Sequence, residues 1–153
     1  MLLIALSGGT PKERVEIADR LIQSRKLRLA AYAQATPSAD YARRRVEILR
    51  TFLSGPAEAK RKAAPVDGMV ITHCLSDLEA NEVRQRGGFV WHLYSRPSGT
   101  VNIRRGDLMV TDGHAGFSHV REPLEGLSEA ILAYLARSGS VRAALGELAY
   151  ADE

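Results

Sequence analysis

Ser7-Gly8-Gly9-Thr10 is the first stretch whose residue types suggest chemistry. Two adjacent glycines directly follow the apolar run 2–6 and directly precede Pro11 and a helix-compatible segment. Glycine lets backbone amides approach a ligand, and a helix start presents unpaired N–H groups to an anion, so the turn suits a phosphate. The same two glycines serve equally well simply to turn the chain. Asp112, His114, His119 and Glu122 form a second polar group, of types fit for acid–base work or metal ligation, although their spacing matches no ligand signature. His73 has no second ligand beside it in sequence and reads as a neutral residue at a strand end. Cys74 reads as a small buried side chain, and Trp91 and Tyr94 as core or strand surface, since no Lys or Arg interleaves them as base-stacking platforms require.

The elements that must position these groups are legible from periodicity. Residues 2–6 form a short apolar run typical of a buried strand, and Val15, Ala18, Leu21 and Ile22 recur at helical spacing after Pro11. A second strand is expected over 27–32, then a helix capped by Ser38 or Asp40 and running to about Leu53, with Gly55-Pro56 as its stop and a polar connector over 57–64. Residues 69–72 read as a central strand. Ser76 caps a helix to about Arg86, with Glu79 completing a capping box and Gly87-Gly88 ending it. The aromatic and β-branched run 89–94 is the strongest strand signal, and 107–111 gives a fifth strand. A helix over 127–137, Gly139 and an amphipathic stretch over 141–148 close the chain. This alternation specifies a single three-layer α/β/α domain over 1–153 with a mostly parallel five-stranded sheet. Ligands of such sheets bind at the carboxyl ends of the strands, where Ser7 to Thr10, His73-Cys74, Ser95-Arg96 and Asp112 to His114 fall.

Composition bounds the function classes. The 153 residues, 45% apolar with nine aromatics, supply one core. One cysteine excludes an internal disulfide framework and a cysteine-rich zinc module. The longest apolar runs, 1–6 and 69–71, fall far short of the ~20 residues that cross a bilayer, and no signal-peptide pattern opens the chain, so a cytoplasmic protein without membrane partners is expected. The net charge of +3 hides an asymmetry: residues 12–62 hold 13 basic and 6 acidic residues, and residues 67–153 hold 8 and 12. A basic first half favours an anionic partner, a nucleotide or a nucleic acid.

Several stretches together resemble a family. Leu6-Ser7-Gly8 leading to Ile17-Ala18-Asp19, then Val70-Ile71-Thr72 with the run from Asp77 to Arg84, Gly87-Gly88-Phe89-Val90 and Ser95-Arg96-Pro97, resemble the phage-type deoxynucleoside monophosphate kinases, which belong to the P-loop kinases. The match covers 1–23 and 68–97, about a third of the chain. The resemblance implies a P-loop-kinase-like fold, a helical monophosphate-binding insertion over about 33–66 and a C-terminal helix over 139–153. It places Ser7, Gly8, Gly9 and Thr10 at the donor phosphates of ATP with magnesium, Lys12 or Arg14 as the phosphate-binding cation, and Arg43, Arg44, Arg96 and Arg104 on the acceptor. The pattern is broken in specific places: Glu13 stands where the second glycine belongs, Arg14 on the lysine and Val15 or Glu16 on the magnesium hydroxyl, while the aspartate and arginine after the third strand are His73 and Leu75. A carboxylate beside the phosphates and the loss of lysine, hydroxyl and acid together remove the parts that position and neutralise a phosphoryl group.

Three functions stay open on the sequence. The first is a degenerate kinase-like protein of phage or prophage type that binds a nucleotide or phosphate, lacks ordinary catalysis and acts through a host or phage protein or as a homodimer. The second is an active deoxynucleoside monophosphate kinase using ATP, magnesium and a divergent loop. The third is a nucleic-acid-binding module using the basic half.

Overall fold

The structure, a computed structural model, describes residues 1–34, 41–55, 66–111 and 120–150, with side chains described as far as residue 137. The expected caps Ser38 and Asp40, the connector 57–64, three of the four members of the Asp112, His114, His119 and Glu122 group, and residues 151–153 lie outside the described residues.

Apolar residues nucleate a sheet of six strands where five were expected: β1 (Leu2–Ser7), β2 (Leu29–Tyr32), β3 (Gly68–Ile71), β4 (Phe89–Leu93), β5 (Leu108–Val110) and β6 (Val120–Arg121). Their order is β2-β3-β1-β4-β5-β6, and every neighbouring pair is parallel. β6 escaped the sequence because two residues carry no periodicity. The helices are α1 (Pro11–Gln23), α2 (Ala42–Ser54), α3 (Asp77–Gln85) and α4 (Pro123–Tyr150).

Two further expectations are corrected. α2 begins after Tyr41, which makes no side-chain cap hydrogen bond. α4 is one helix of 28 residues that starts at Pro123 and continues through Gly139, because a glycine inside a helix costs about 1 kcal/mol without forbidding it. Among the described residues no helix is long and apolar enough to cross a membrane.

Side chains alternate across each strand, so β1 sends Leu2, Ile4 and Leu6 to one face and Leu3 and Ala5 to the other. The first face packs under α1 and α4 with Ile17, Leu21, Trp91 and Leu127; the second packs under α2 and α3 with Leu49, Leu53, Ala80 and Val83. This three-layer arrangement follows from chain direction: β1 to β2 runs one way across the sheet, while β2 to β3 and β3 to β4 run the other, and right-handed crossovers then place α1 opposite α2 and α3. β1 therefore lies where the connections diverge, and the crevice outside its carboxyl end is the expected ligand position.

Candidate functional site

The turn after β1 adopts the conformation that its glycines allow, with φ of 81° at Gly8 and 61° at Gly9. α1 then starts with a capping box: the Thr10 hydroxyl accepts from the Glu13 amide and the Glu13 carboxylate accepts from the Thr10 amide, each at 3.1 Å. The loop after β4 presses directly onto this turn. A Cβ on Gly8 would lie 2.5 Å from the Arg96 carbonyl oxygen, and that same oxygen accepts from the Gly9 amide at 2.7 Å. The Ser95 hydroxyl donates to the second Glu13 oxygen at 2.8 Å. That bond first, and the Thr10 amide second, hold the Glu13 carboxyl below its ordinary range.

Arg14 closes the turn from the other side. Its guanidinium donates to the carbonyls of Gly8 at 2.7 Å and Gly9 at 3.2 Å, and its Nε donates to Nδ1 of His73 at 3.0 Å. Arg14 is only 6% exposed. Burial first, then the charges of Arg14 and Arg45, push the His73 pKa below its ordinary value, so the ring is a neutral acceptor here. The amides of Gly9 and Thr10 thus meet oxygens of the chain itself, and two turn carbonyls meet a cation. An incoming phosphate would have to displace the Arg96 carbonyl and the Glu13 carboxylate to reach those amides.

A second arginine anchors the same strand end from beneath. Arg45 donates through Nε to both Glu79 oxygens, at 3.1 and 3.2 Å, and through a terminal nitrogen to the His73 carbonyl at 2.9 Å, with both charged side chains fully buried. Glu79 also accepts from the Ser76 hydroxyl at 2.7 Å and the Leu75 amide at 3.2 Å. Ser76 caps α3 as expected, but the Glu79 carboxylate turns to Arg45, the Ser76 hydroxyl and Leu75 rather than back to the Ser76 amide. Arg45 closes the run Arg43-Arg44-Arg45, and its spacing to Leu49 and Leu53, at four and eight residues, puts it on the buried stripe of α2.

The β4–β5 loop is fixed at both ends. Asn102 donates to both Asp77 oxygens at 2.7 Å, and Val101 is buried in the core. Asp107 accepts from His92, Arg84 and the Arg104 amide. Burial raises the Asp107 pKa, but those hydrogen bonds outweigh it and keep the carboxyl below its ordinary value.

The remaining sequence candidates separate. Lys12 points outward, its side chain 86% exposed and 3.9 Å from Glu16. Arg43, Arg44, Arg96 and Arg104 are exposed, and Arg44 stands away from the glycine turn on the wall of a pocket of about 570 Å³ between β2 and α2. Tyr32, Glu47, Ile48, Thr51 and Phe52 complete that pocket, with the Tyr32 and Phe52 rings stacked at 4.2 Å. Ser7 and Cys74 are wholly buried, and burial drives the Cys74 thiol pKa upward, away from reactivity. Trp91 lies in the core and Tyr94 at the surface. Glu122 is exposed at the start of α4. Among the described residues no three His, Cys, Asp or Glu side chains converge on a metal position.

Fold and site together define a parallel α/β domain whose strand-end crevice is filled by its own side chains. Comparison with protein-family models, curated proteins and solved structures finds no match for the chain.

Proposed function

We propose that this chain is a degenerate, kinase-like domain of the phage deoxynucleoside monophosphate kinase type that binds a nucleotide without transferring its phosphate. The observation that carries this reading is the closed turn, in which Glu13, Arg14 and the Arg96 carbonyl occupy the groups that would hold the donor phosphates. Phosphoryl transfer depends on positioning and charge neutralisation, and a turn with engaged amides, an engaged cation and a resident carboxylate offers neither.

Binding is left to the pocket on α2, whose size falls in the range of small-ligand sites. Tyr32, Ile48 and Phe52 supply an apolar wall for a base, Arg44 a cation for the phosphate and Glu47 an acceptor for a ring N–H. Such a domain acts through a protein partner that reads its loaded state.

The test sets purified protein with ATP, magnesium and a panel of deoxynucleoside monophosphates. The expected result is a thermal shift with at least one monophosphate, lost in Arg44→Ala and retained in Lys12→Ala, with no diphosphate formed. A ligand at 100 times its Kd adds about 2.7 kcal/mol of stability, enough to read clearly. Diphosphate product that disappears in Lys12→Ala or Arg14→Ala overturns the proposal in favour of an active kinase with a divergent loop.

A further inference from the structure

We infer that the outer edge of β2 is a self-association surface, on which a second copy of this chain adds its own β2 antiparallel across a two-fold axis. β2 stands at one end of the sheet and pairs only with β3. The Arg28 and Tyr32 carbonyls turn inward, accepting from the Asp67 amide at 2.7 Å and the Thr72 amide at 2.9 Å. Backbone groups alternate along a parallel strand, so the N–H and C=O of Leu29, Ala31 and Ala33 point away from β3. Among the described residues those outward groups make no hydrogen bond. Proteins ordinarily guard such an edge with a lysine or a proline, and residues 29–33 carry neither charge nor proline.

One edge paired with a copy of itself is isologous and therefore antiparallel. With Ala31 on the axis, it exchanges both N–H···O bonds with its own copy, and Leu29 does the same with Ala33 of the other copy. This register sets Tyr32 beside the other copy's Ala30, so each large side chain meets an alanine and no charges face each other along the strand. The Phe52 ring of α2 stacks over Tyr32 at this edge, so the axis also brings the two α2 helices side by side on one face of the joined sheet, running in opposite directions. The charges on α2 fit that arrangement. Its first turn holds Arg43, Arg44 and Arg45 without an acid and its last turn holds no base, the wrong signs for its own dipole. Arg45 is spent on Glu79, whereas Arg43 and Arg44 are exposed. At the other end Arg86 reaches the Ser54 hydroxyl but is paired with Glu82. Across the axis the exposed arginines face the carbonyl end of the other copy's α2.

The pocket lined by Tyr32, Ile48 and Phe52 lies along this edge, so the second copy and a nucleotide compete for it. Association is measured without nucleotide and does not depend on the nucleotide reading. Sedimentation of the full chain over a wide concentration series is expected to show a monomer–dimer equilibrium, with the Ala31 amide exchanging more slowly in the dimer. Ala31→Pro removes an N–H that makes no bond in the monomer, so it is expected to keep the fold and give monomer only. Arg44→Glu is expected to weaken the dimer about tenfold, since its contact occurs twice across the axis. A dimer that survives both changes uses another face and overturns the inference. Monomer at every concentration overturns it too: a fast Ala31 amide would then leave the edge to a different protein, and a slow one would mean that the chain covers its own edge.

Discussion

Arg45 and Glu79 show how a single residue pair decides where the β3 end sits. Two opposite charges removed from water are stable only while each keeps its partner, so truncating one costs more than truncating both. Glu79→Leu is expected to destabilise the fold by about 3–5 kcal/mol, and the double change Arg45→Met with Glu79→Leu by less than the sum of the two single changes. Urea denaturation of the four proteins measures this; additivity would mean that the two side chains act independently. His73 gives a pH prediction at the same scale. Its folded pKa lies below the ordinary 6.5 because burial and two arginines oppose a third charge. Below that value the unfolded chain binds a proton that the folded ring refuses, so the stabilisation present above about pH 6.5 is lost as pH falls. The urea midpoint should drop between about pH 7 and about pH 5.5, and His73→Gln should flatten that drop while leaving the steeper carboxylate-driven loss at lower pH.

At the scale of elements, the glycine turn and the β4–β5 loop act as one unit. Gly8→Ala puts a methyl 2.5 Å from the Arg96 carbonyl at a φ that L side chains rarely adopt, so the loop must lift or the turn must flatten. The expected cost is about 1–3 kcal/mol from the backbone conformation alone, with faster amide exchange over 95–102 as the local sign that the loop has lifted. Unchanged exchange there would show that the two segments are not coupled.

The elements that carry this unit were readable in advance. The apolar run 2–6, the glycine pair, Pro11 and the aromatic run 89–94 announce β1, the turn, α1 and β4 through local signals. The closure of the site was not, because it rests on pairs far apart in sequence: Arg14 with His73, Gly9 with Arg96, Ser95 with Glu13. The resemblance to a kinase pattern sets Glu13 and Arg14 where a glycine and a lysine would belong, but whether those side chains face a ligand or the chain depends on the loop above them. His92 was hidden for a related reason: on a strand covered on both faces, an inward polar residue interrupts no alternation that would flag it.

On the scale of the whole molecule, folding offsets part of the charge asymmetry along the sequence. Arg28 pairs with Asp67 at 3.1 Å, Arg45 with Glu79 at 3.1 Å and Arg50 with Glu82 at 2.6 Å, so three cations of the basic half meet carboxylates of the acidic half. Glu82, despite burial that raises its pKa, is kept ionised by Arg50 and by Arg86. Arg14 faces inward as well. What a polyanion meets is therefore a surface less basic than the count of 13 cations against 6 acids over residues 12–62 suggests. Each phosphate neutralised contributes close to one unit to the slope of log affinity against log salt, so the slope reads the number of cations that engage DNA. Fluorescence anisotropy with a labelled duplex across a salt series is expected to give a slope no steeper than about −3 and no saturable binding at about 0.15 M salt. A markedly steeper slope with micromolar affinity at physiological salt would return the nucleic-acid reading to first place. It would also mean that the pairs from Arg28 to Asp67 and from Arg50 to Glu82, both with exposed arginines, yield their cations to phosphate.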